Sequence, residues 1–241
     1  MTRPITQDSF FNGHVCVRQT ADGYRFSIDA VILAWHITPA PGARIVDLGT
    51  GCGIIPLILA CRHPSVSITG IEIQPQLAQI ATENAAANQM TDRVSIVCAD
   101  IRNANDHLPA GKADIVVCNP PFRKVAAGRI NPDEERAIAR HELAVTLKDI
   151  LAAAKRALRT AGEFVVIYPA FRAPDMICAM REAGIEPKLV RTIHSRQHEE
   201  ARLVLIKGTR NGRPGAVIPS PLVIYDADDR YTPEVERMFL P

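Results

Sequence analysis

Asn119, Pro120, Pro121 and Phe122 close the apolar run from Ala113 to Cys118, and their types suit a narrow chemistry. The amide oxygen of Asn119 and the main-chain carbonyl of Pro120 can each accept one hydrogen bond, so together they hold both protons of a planar NH2 group. Such a nitrogen, conjugated to a ring or a carbonyl, has little free lone pair. It must be drawn toward tetrahedral geometry before it can attack an electrophilic methyl group. Two successive prolines fix two φ angles and remove two NH donors, so the carbonyls are presented at little entropic cost. Phe122 adds an aromatic face on which a base or flat amide can stack. As plain structure, the same residues are a strand ending in a proline turn; the chemical reading needs a cofactor site beside it.

Residues 44–53, RIVDLGTGCG, supply a candidate. Ile45, Val46 and Leu48 predict a short strand that runs into Gly49, Gly51 and Gly53, with an apolar helix from Ile54 to about Cys61. Glycines there let the backbone approach a ligand and set the NH groups of the turn beside it. A dinucleotide-binding turn would carry its third glycine at position 54, which is Ile54. The spacing at 49, 51 and 53, after Asp47, instead resembles motif I of the S-adenosylmethionine-dependent methyltransferases. Glu72 stands near the end of the next strand, Ser67 to Ile73, where a carboxylate can accept hydrogen bonds from both hydroxyls of a ribose. It could equally cap the helix that Pro75 opens. A third strand, Arg93 to Cys98, leads to Asp100 and Ile101. In the resembled class these hold the adenine amino group and one face of its ring, and Asp100 taken alone is an ordinary loop acid.

The elements that must position these residues alternate between strand-like and helix-like from Arg44 to Lys207, the pattern of a doubly wound α/β fold. A helix near residues 143–158 carries Leu147, Ile150, Leu151, Ala154 and Leu158 on one face; Gly162 ends it, and Glu163 to Tyr168 is the fifth strand. Pro174 opens another helix that Gly184 stops. Lys188 to Ile193 and Arg202 to Lys207 complete seven strands in a mainly parallel sheet. Because a loop and not a crossover helix joins that pair, the last strand is expected to run antiparallel. Methyltransferase resemblance implies a Rossmann-like sheet of order 3-2-1-4-5-7-6, with strands one and four flanking the switch point where ligands bind. GTGCG and NPPF should then lie side by side. The chain divides into an N-terminal cap segment (1–40), a methyltransferase domain (41–210) and a C-terminal tail packed on it (211–241).

With 28 basic and 26 acidic residues the formal charge is +2, which excludes a generally polycationic nucleic-acid binder and leaves any RNA contact to local patches. One such patch follows NPPF directly: Arg123, Lys124, Arg129, Arg136 and Arg140, diluted by three acids. Read blandly, it is a solvated loop and helix face. Six scattered cysteines without a CxxC pair suggest free, largely buried thiols in a reducing compartment and no zinc framework. His194 and His198 have i, i+4 spacing but sit in a polar stretch, so no metal is expected. Lacking an apolar leader or an 18-residue apolar run, the chain reads as cytoplasmic, without a membrane partner.

Taken together, FNGHVCVRQTADGYRFSIDAVILAW, VDLGTGCGIIPLILA, NPPFRK, ARHE and PLVIYDADDRYTPE resemble the bacterial tRNA1(Val) (adenine-37-N6)-methyltransferases over nearly the whole chain. One departure is Phe122–Arg123, where that family often carries Tyr followed by another aromatic. The resemblance implies N6 methylation of an adenine in tRNA, with S-adenosylmethionine as cofactor and S-adenosylhomocysteine as product, by a monomer or weak dimer. Catalysis then falls to Asn119, Pro120, Pro121 and Phe122. Cofactor contacts fall to Arg25, Phe26 and Asp29 from the segment that closes over the methionine end, and to Asp47, Gly49, Thr50, Gly51, Gly53, Glu72, Ile73, Asp100, Ile101 and Asn119; Gln19 is a further candidate. Arg123, Lys124, Arg129 and Arg140 would meet RNA. An adenine of ribosomal RNA or a protein glutamine remains the alternative substrate, because NPPF recognises a planar NH2 and not a whole molecule.

Overall fold

The computed structural model describes residues 5–20, 27–104, 110–120 and 146–240. Among the described residues a sheet of eight strands forms the centre: β3 (Arg44–Leu48), β4 (Ser67–Glu72), β5 (Val94–Cys98), β6 (Ala113–Cys118), β7 (Leu158–Pro169), β8 (Ile185–His194), β9 (Ala201–Arg210) and β10 (Leu222–Val223). Their order is β10-β8-β9-β7-β6-β3-β4-β5, and β9 runs antiparallel to both β7 and β8. Seven of these reproduce the expected order. The eighth corrects the count: β10, from the tail, adds two residues parallel to β8 at the sheet edge, too short for any periodicity to reveal.

Burial on both faces explains why these strands read as unbroken apolar runs. Along β3 and β6, Ile45, Ile115 and Val117 enter one core, while Val46, Leu48, Val116 and Cys118 enter the other. Helices α1 (Ile28–Trp35), α2 (Ile54–Arg62) and α3 (Pro75–Ala87) cover the first face; α4 (Leu147–Ala157) and α5 (Ala173–Glu182) cover the second. Pro75 begins α3, where its missing NH costs nothing. Thr146 caps α4 through a reciprocal box: Asp149 N donates to Thr146 Oγ1 at 3.2 Å and Thr146 N donates to Asp149 Oδ2 at 2.9 Å.

Gly162 does not end α4. The helix stops at Ala157, Leu158 pairs with Ala113, and pairing resumes at Glu163 opposite Ile115. Arg159–Gly162 bulge out because Arg159 Nε donates to Asp114 at 2.6 Å and Ala161 turns the chain at φ 60°.

Ahead of the sheet, β1 (Ile5–Phe10) and β2 (Val15–Thr20) form an antiparallel hairpin, an addition to the elements that the sequence predicts. The tail lies against it. Phe10, Phe239, Tyr231 and Tyr225 stack in a column with centroid spacings of 6.2, 5.4 and 5.4 Å. Val235, in the short helix α6 (Pro233–Arg237), and Met238 enter the first core. Arg191 of β8 clamps α6, donating from Nη1 and Nη2 to Glu234 at 2.8 and 3.0 Å and from Nε to Ser220 O at 3.0 Å. No helix among the described residues is long and apolar enough to cross a membrane.

Candidate active site

Leu48 of β3 pairs with Cys118 of β6, so Gly49 and Asn119 leave neighbouring strands side by side at the carboxyl edge of the sheet. The Cys118 thiol donates to Leu48 O at 3.2 Å, locking the last residues of the two strands together. Asn119 is half-buried and Pro120 buried. Pro121, Phe122, Arg123, Lys124, Arg129, Arg136 and Arg140 lie outside the described residues, as do Arg25 and Phe26.

The glycine turn has φ of 77° at Gly49, 58° at Gly51 and 84° at Gly53, values that side chains strongly disfavour. A Cβ at Gly49 or Gly51 would meet nothing within 4 Å, whereas one at Gly53 would press on Ala81 Cβ at 3.2 Å. The first two glycines therefore face open space, and the third lets α3 pack closely. Glycine spacing predicts NH groups turned toward a ligand; in the structure they turn inward. Gly49 N and Thr50 N both donate to Ile71 O at 2.9 and 3.0 Å, Gly53 N donates to Thr50 O at 3.0 Å, and Gly51 N donates to Glu72 Oε2 at 2.9 Å. Four amides of the turn are thereby taken within the protein, which leaves fewer donors for a phosphate here.

Carboxylates dominate instead. Buried Glu72 takes one hydrogen bond on each oxygen, from Gly51 N and from Gln74 N, both at 2.9 Å. Each oxygen keeps a lone pair for a further donor, so capping the turn and binding a diol are compatible. Asp47 is fully buried; Thr50 Oγ1 donates to its Oδ2 at 2.7 Å, while Oδ1 has no partner among the described residues. Burial pushes the Asp47 carboxyl up to about 7, the Thr50 hydroxyl pulls it partly back, and the charge of Glu72 raises it further. An orphaned buried acceptor of this kind suits a cationic donor from a ligand.

Gly70 of β4 is a further residue of the site, and a lone glycine inside a strand is the sequence signal of such close approach. A Cβ there would fall 2.9 Å from Thr50 Oγ1, Thr50 Cγ2 and Ile96 Cδ1, so the missing side chain makes the space in which Thr50 reaches Asp47.

Other expected residues are placed variously. Ile73 is exposed beyond Glu72, and Ile101 is buried. Asp100 is engaged by Arg102, whose Nε donates to Oδ1 and Oδ2 at 3.0 and 2.9 Å, and these hydrogen bonds hold its carboxyl below the usual range. Asp29 is half-buried in the first turn of α1. Gln19 faces into the hairpin, its side-chain nitrogen donating to Asp8. His194 is held by Glu199 O and Thr192 Oγ1 at 2.8 and 3.1 Å, and the described residues contain no cluster of three or more potential metal ligands. Of the six cysteines only Cys52 and Cys118 are buried, while Cys98 and Cys178 are exposed, which corrects the expectation of largely buried thiols.

A doubly wound sheet of this order, with an acid-flanked glycine turn beside Asn-Pro at its switch point, is that of a Rossmann-like methyltransferase. Solved structures agree on the fold: a predicted O-methyltransferase, protein Atu636 from Agrobacterium tumefaciens, is 20% identical with a TM-score of 0.72, over 87% of this chain and 94% of its own. Geranyl diphosphate C-methyltransferase from Streptomyces coelicolor, in complex with S-adenosyl-L-homocysteine, is 15% identical with a TM-score of 0.56, over 75% of this chain and 78% of its own. The chain belongs to the methyltransferase small domain family, whose model matches residues 25–183, and within it to the tRNA1(Val) (adenine(37)-N6)-methyltransferases. A curated member from Porphyromonas gingivalis is 32% identical over 237 residues, covering 93% of this chain and 91% of the relative.

Proposed function

We propose that this chain methylates N6 of an adenine in tRNA, at position 37 of tRNA1(Val), with S-adenosylmethionine as methyl donor. The observation that carries the reading is the register of Leu48 against Cys118, which sets Asn119–Pro120 beside a turn rich in carboxylates and poor in free amides. That turn fits S-adenosylmethionine better than a dinucleotide: its buried acids suit a cationic cofactor with a ribose diol, whereas a pyrophosphate needs amide donors already spent within the protein.

In this reading Glu72 accepts the ribose hydroxyls and Asp47 Oδ1 receives an ammonium donor. Thr50, Ile73, Asp100 and Ile101 line the remainder, and the open faces of Gly49 and Gly51 admit the cofactor closely. Arg25, Phe26 and Asp29 belong to the segment that would close over it. When bound, the cofactor supplies an electrophilic methyl group. The Asn119 side-chain oxygen and the Pro120 carbonyl accept hydrogen bonds from the two N6–H groups and turn the lone pair outward; as the methyl group passes from sulfur to N6, one of those protons leaves to water. Phe122 stacks on the flipped base, Pro121 stiffens the approach, and Arg123, Lys124, Arg129 and Arg140 hold the RNA. Preorganised acceptors and proximity supply the rate gain.

The test is incubation with labelled S-adenosylmethionine and total tRNA from a strain lacking the gene, followed by nucleoside analysis. Label in N6-methyladenosine is expected, and label confined to protein would redirect the assignment to a glutamine substrate. Asn119→Ala should cut turnover about a hundredfold or more with S-adenosylhomocysteine affinity retained; unchanged turnover refutes the role given to Asn119.

A further inference from the structure

We propose that Asn84 is a positioning residue for the cofactor turn: its side-chain amide sets the Cys52–Gly53 peptide and ties that peptide to strand β2 of the N-terminal hairpin. The proposal rests on the reading of this turn as the S-adenosylmethionine site.

An asparagine in the middle of a helix is ordinarily a surface residue, because its amide competes with the helix backbone. Asn84, in α3, is fully buried. Its Nδ2 donates to Cys52 O at 2.8 Å and to Arg18 O at 2.9 Å, and its Oδ1 accepts from Arg18 N at 2.8 Å. Toward Arg18 the amide behaves as a residue of a neighbouring strand, exchanging both main-chain hydrogen bonds.

One turn on, at the C-cap of α3, Asn88 does the same for Cys16, accepting from Cys16 N at 2.8 Å and donating to Cys16 O at 2.7 Å. Two residues of strand and four of helix advance the chain by nearly equal distances, about 6.6 and about 6 Å. A pair of i, i+4 asparagines thus closes the edge of β2 that β1 leaves open. The remaining donor distinguishes the two residues: Asn88 gives it to Asn84 O at 2.8 Å, within its own helix, whereas Asn84 gives it to the cofactor turn.

The Cys52–Gly53 peptide is consequently held at both ends. Its carbonyl takes Asn84 Nδ2, and its NH donates to Thr50 O at 3.0 Å. Gly53, with φ of 84°, admits a range of orientations that only external hydrogen bonds can narrow. Rotation of this peptide would displace Gly51, whose NH orients Glu72. Docking of the hairpin and the shape of the cofactor site are therefore linked through one amide.

Three variants test this: Asn84→Ala, the milder Asn84→Ser in case the first does not fold, and Asn88→Ala, which also loses three hydrogen bonds but touches no atom of the turn. Two quantities are read. One is S-adenosylhomocysteine affinity by calorimetry. The other is the alkylation rate of Cys52 by N-ethylmaleimide in cofactor-free protein, followed by peptide mass spectrometry; burial raises that thiol to about 11, so it reacts only when the turn opens. Loss of the Asn84 amide should weaken affinity about tenfold and speed Cys52 alkylation by a similar factor. Asn88→Ala should change neither by more than about twofold, whatever its melting temperature. If both positions shift the two readouts in proportion to lost stability, Asn84 is only structural and the proposal is overturned. Failure of the wild-type protein to bind S-adenosylhomocysteine would overturn the cofactor reading alone, and the Cys52 rates would still decide whether Asn84 holds the turn.

Discussion

At a pH above about 7, Asp47→Asn should stabilise the cofactor-free protein while weakening its grip on the cofactor. Burial and the nearby Glu72 raise the Asp47 carboxyl from 3.8 to about 7 despite the Thr50 hydrogen bond. Between those values the folded protein binds a proton that the unfolded chain does not, so stability falls as pH rises through this window and levels off above it. A shift of roughly three units corresponds to about 4 kcal/mol at most. Asparagine removes the titration, though its NH2 group brings an unsatisfied donor that costs about 1–3 kcal/mol. Urea denaturation from about pH 4 to about pH 8 should therefore show the wild-type protein losing stability relative to the variant by up to about 4 kcal/mol. Binding should show the opposite preference. If Asp47 Oδ1 receives the ammonium group, S-adenosylhomocysteine binding near pH 6 expels a proton, visible as a calorimetric heat that depends on the ionisation enthalpy of the buffer. The variant should bind about tenfold or more weakly, without that proton release. Parallel stability curves for the two proteins across the whole range would refute the reasoning, because Asp47 would then titrate like a solvated acid.

Two further perturbations bear on the scaffold. Gly70→Ala places a Cβ 2.9 Å from both Thr50 Oγ1 and Ile96 Cδ1, and we expect a loss of about 1–3 kcal/mol in denaturant titration, with a raised KM for S-adenosylmethionine because Thr50 is pushed off Asp47. A double-mutant cycle of Arg191→Met and Glu234→Gln should return a coupling of about 1–2 kcal/mol, since Arg191 makes both bonds to Glu234 from a largely buried position; a coupling near zero would mean that this ion pair does not help to hold the tail.

How much of this was legible in the sequence depends on what each residue has to satisfy. Ile45, Val46, Val116 and Val117 announce their strands because each lies in one of two cores, and unbroken apolarity survives any detail of packing. β1, ITQDSF, and β2, VCVRQT, lack that signal; β2 buries Val15 and Val17, pairs with β1 and is closed on its other edge by Asn84 and Asn88, and an asparagine in a helix looks the same in a sequence whether it faces water or a strand edge. The glycine turn shows the limit most clearly. Its spacing reveals the positive φ angles, since those are local, but the direction of its NH groups depends on Ile71 and Glu72 from β4. Read locally, the turn is an amide cradle, suited to anions. Once β4 has taken those amides, the exposed chemistry of the same glycines is that of the acids beside them, and the preference of the site turns from a phosphate toward a cation.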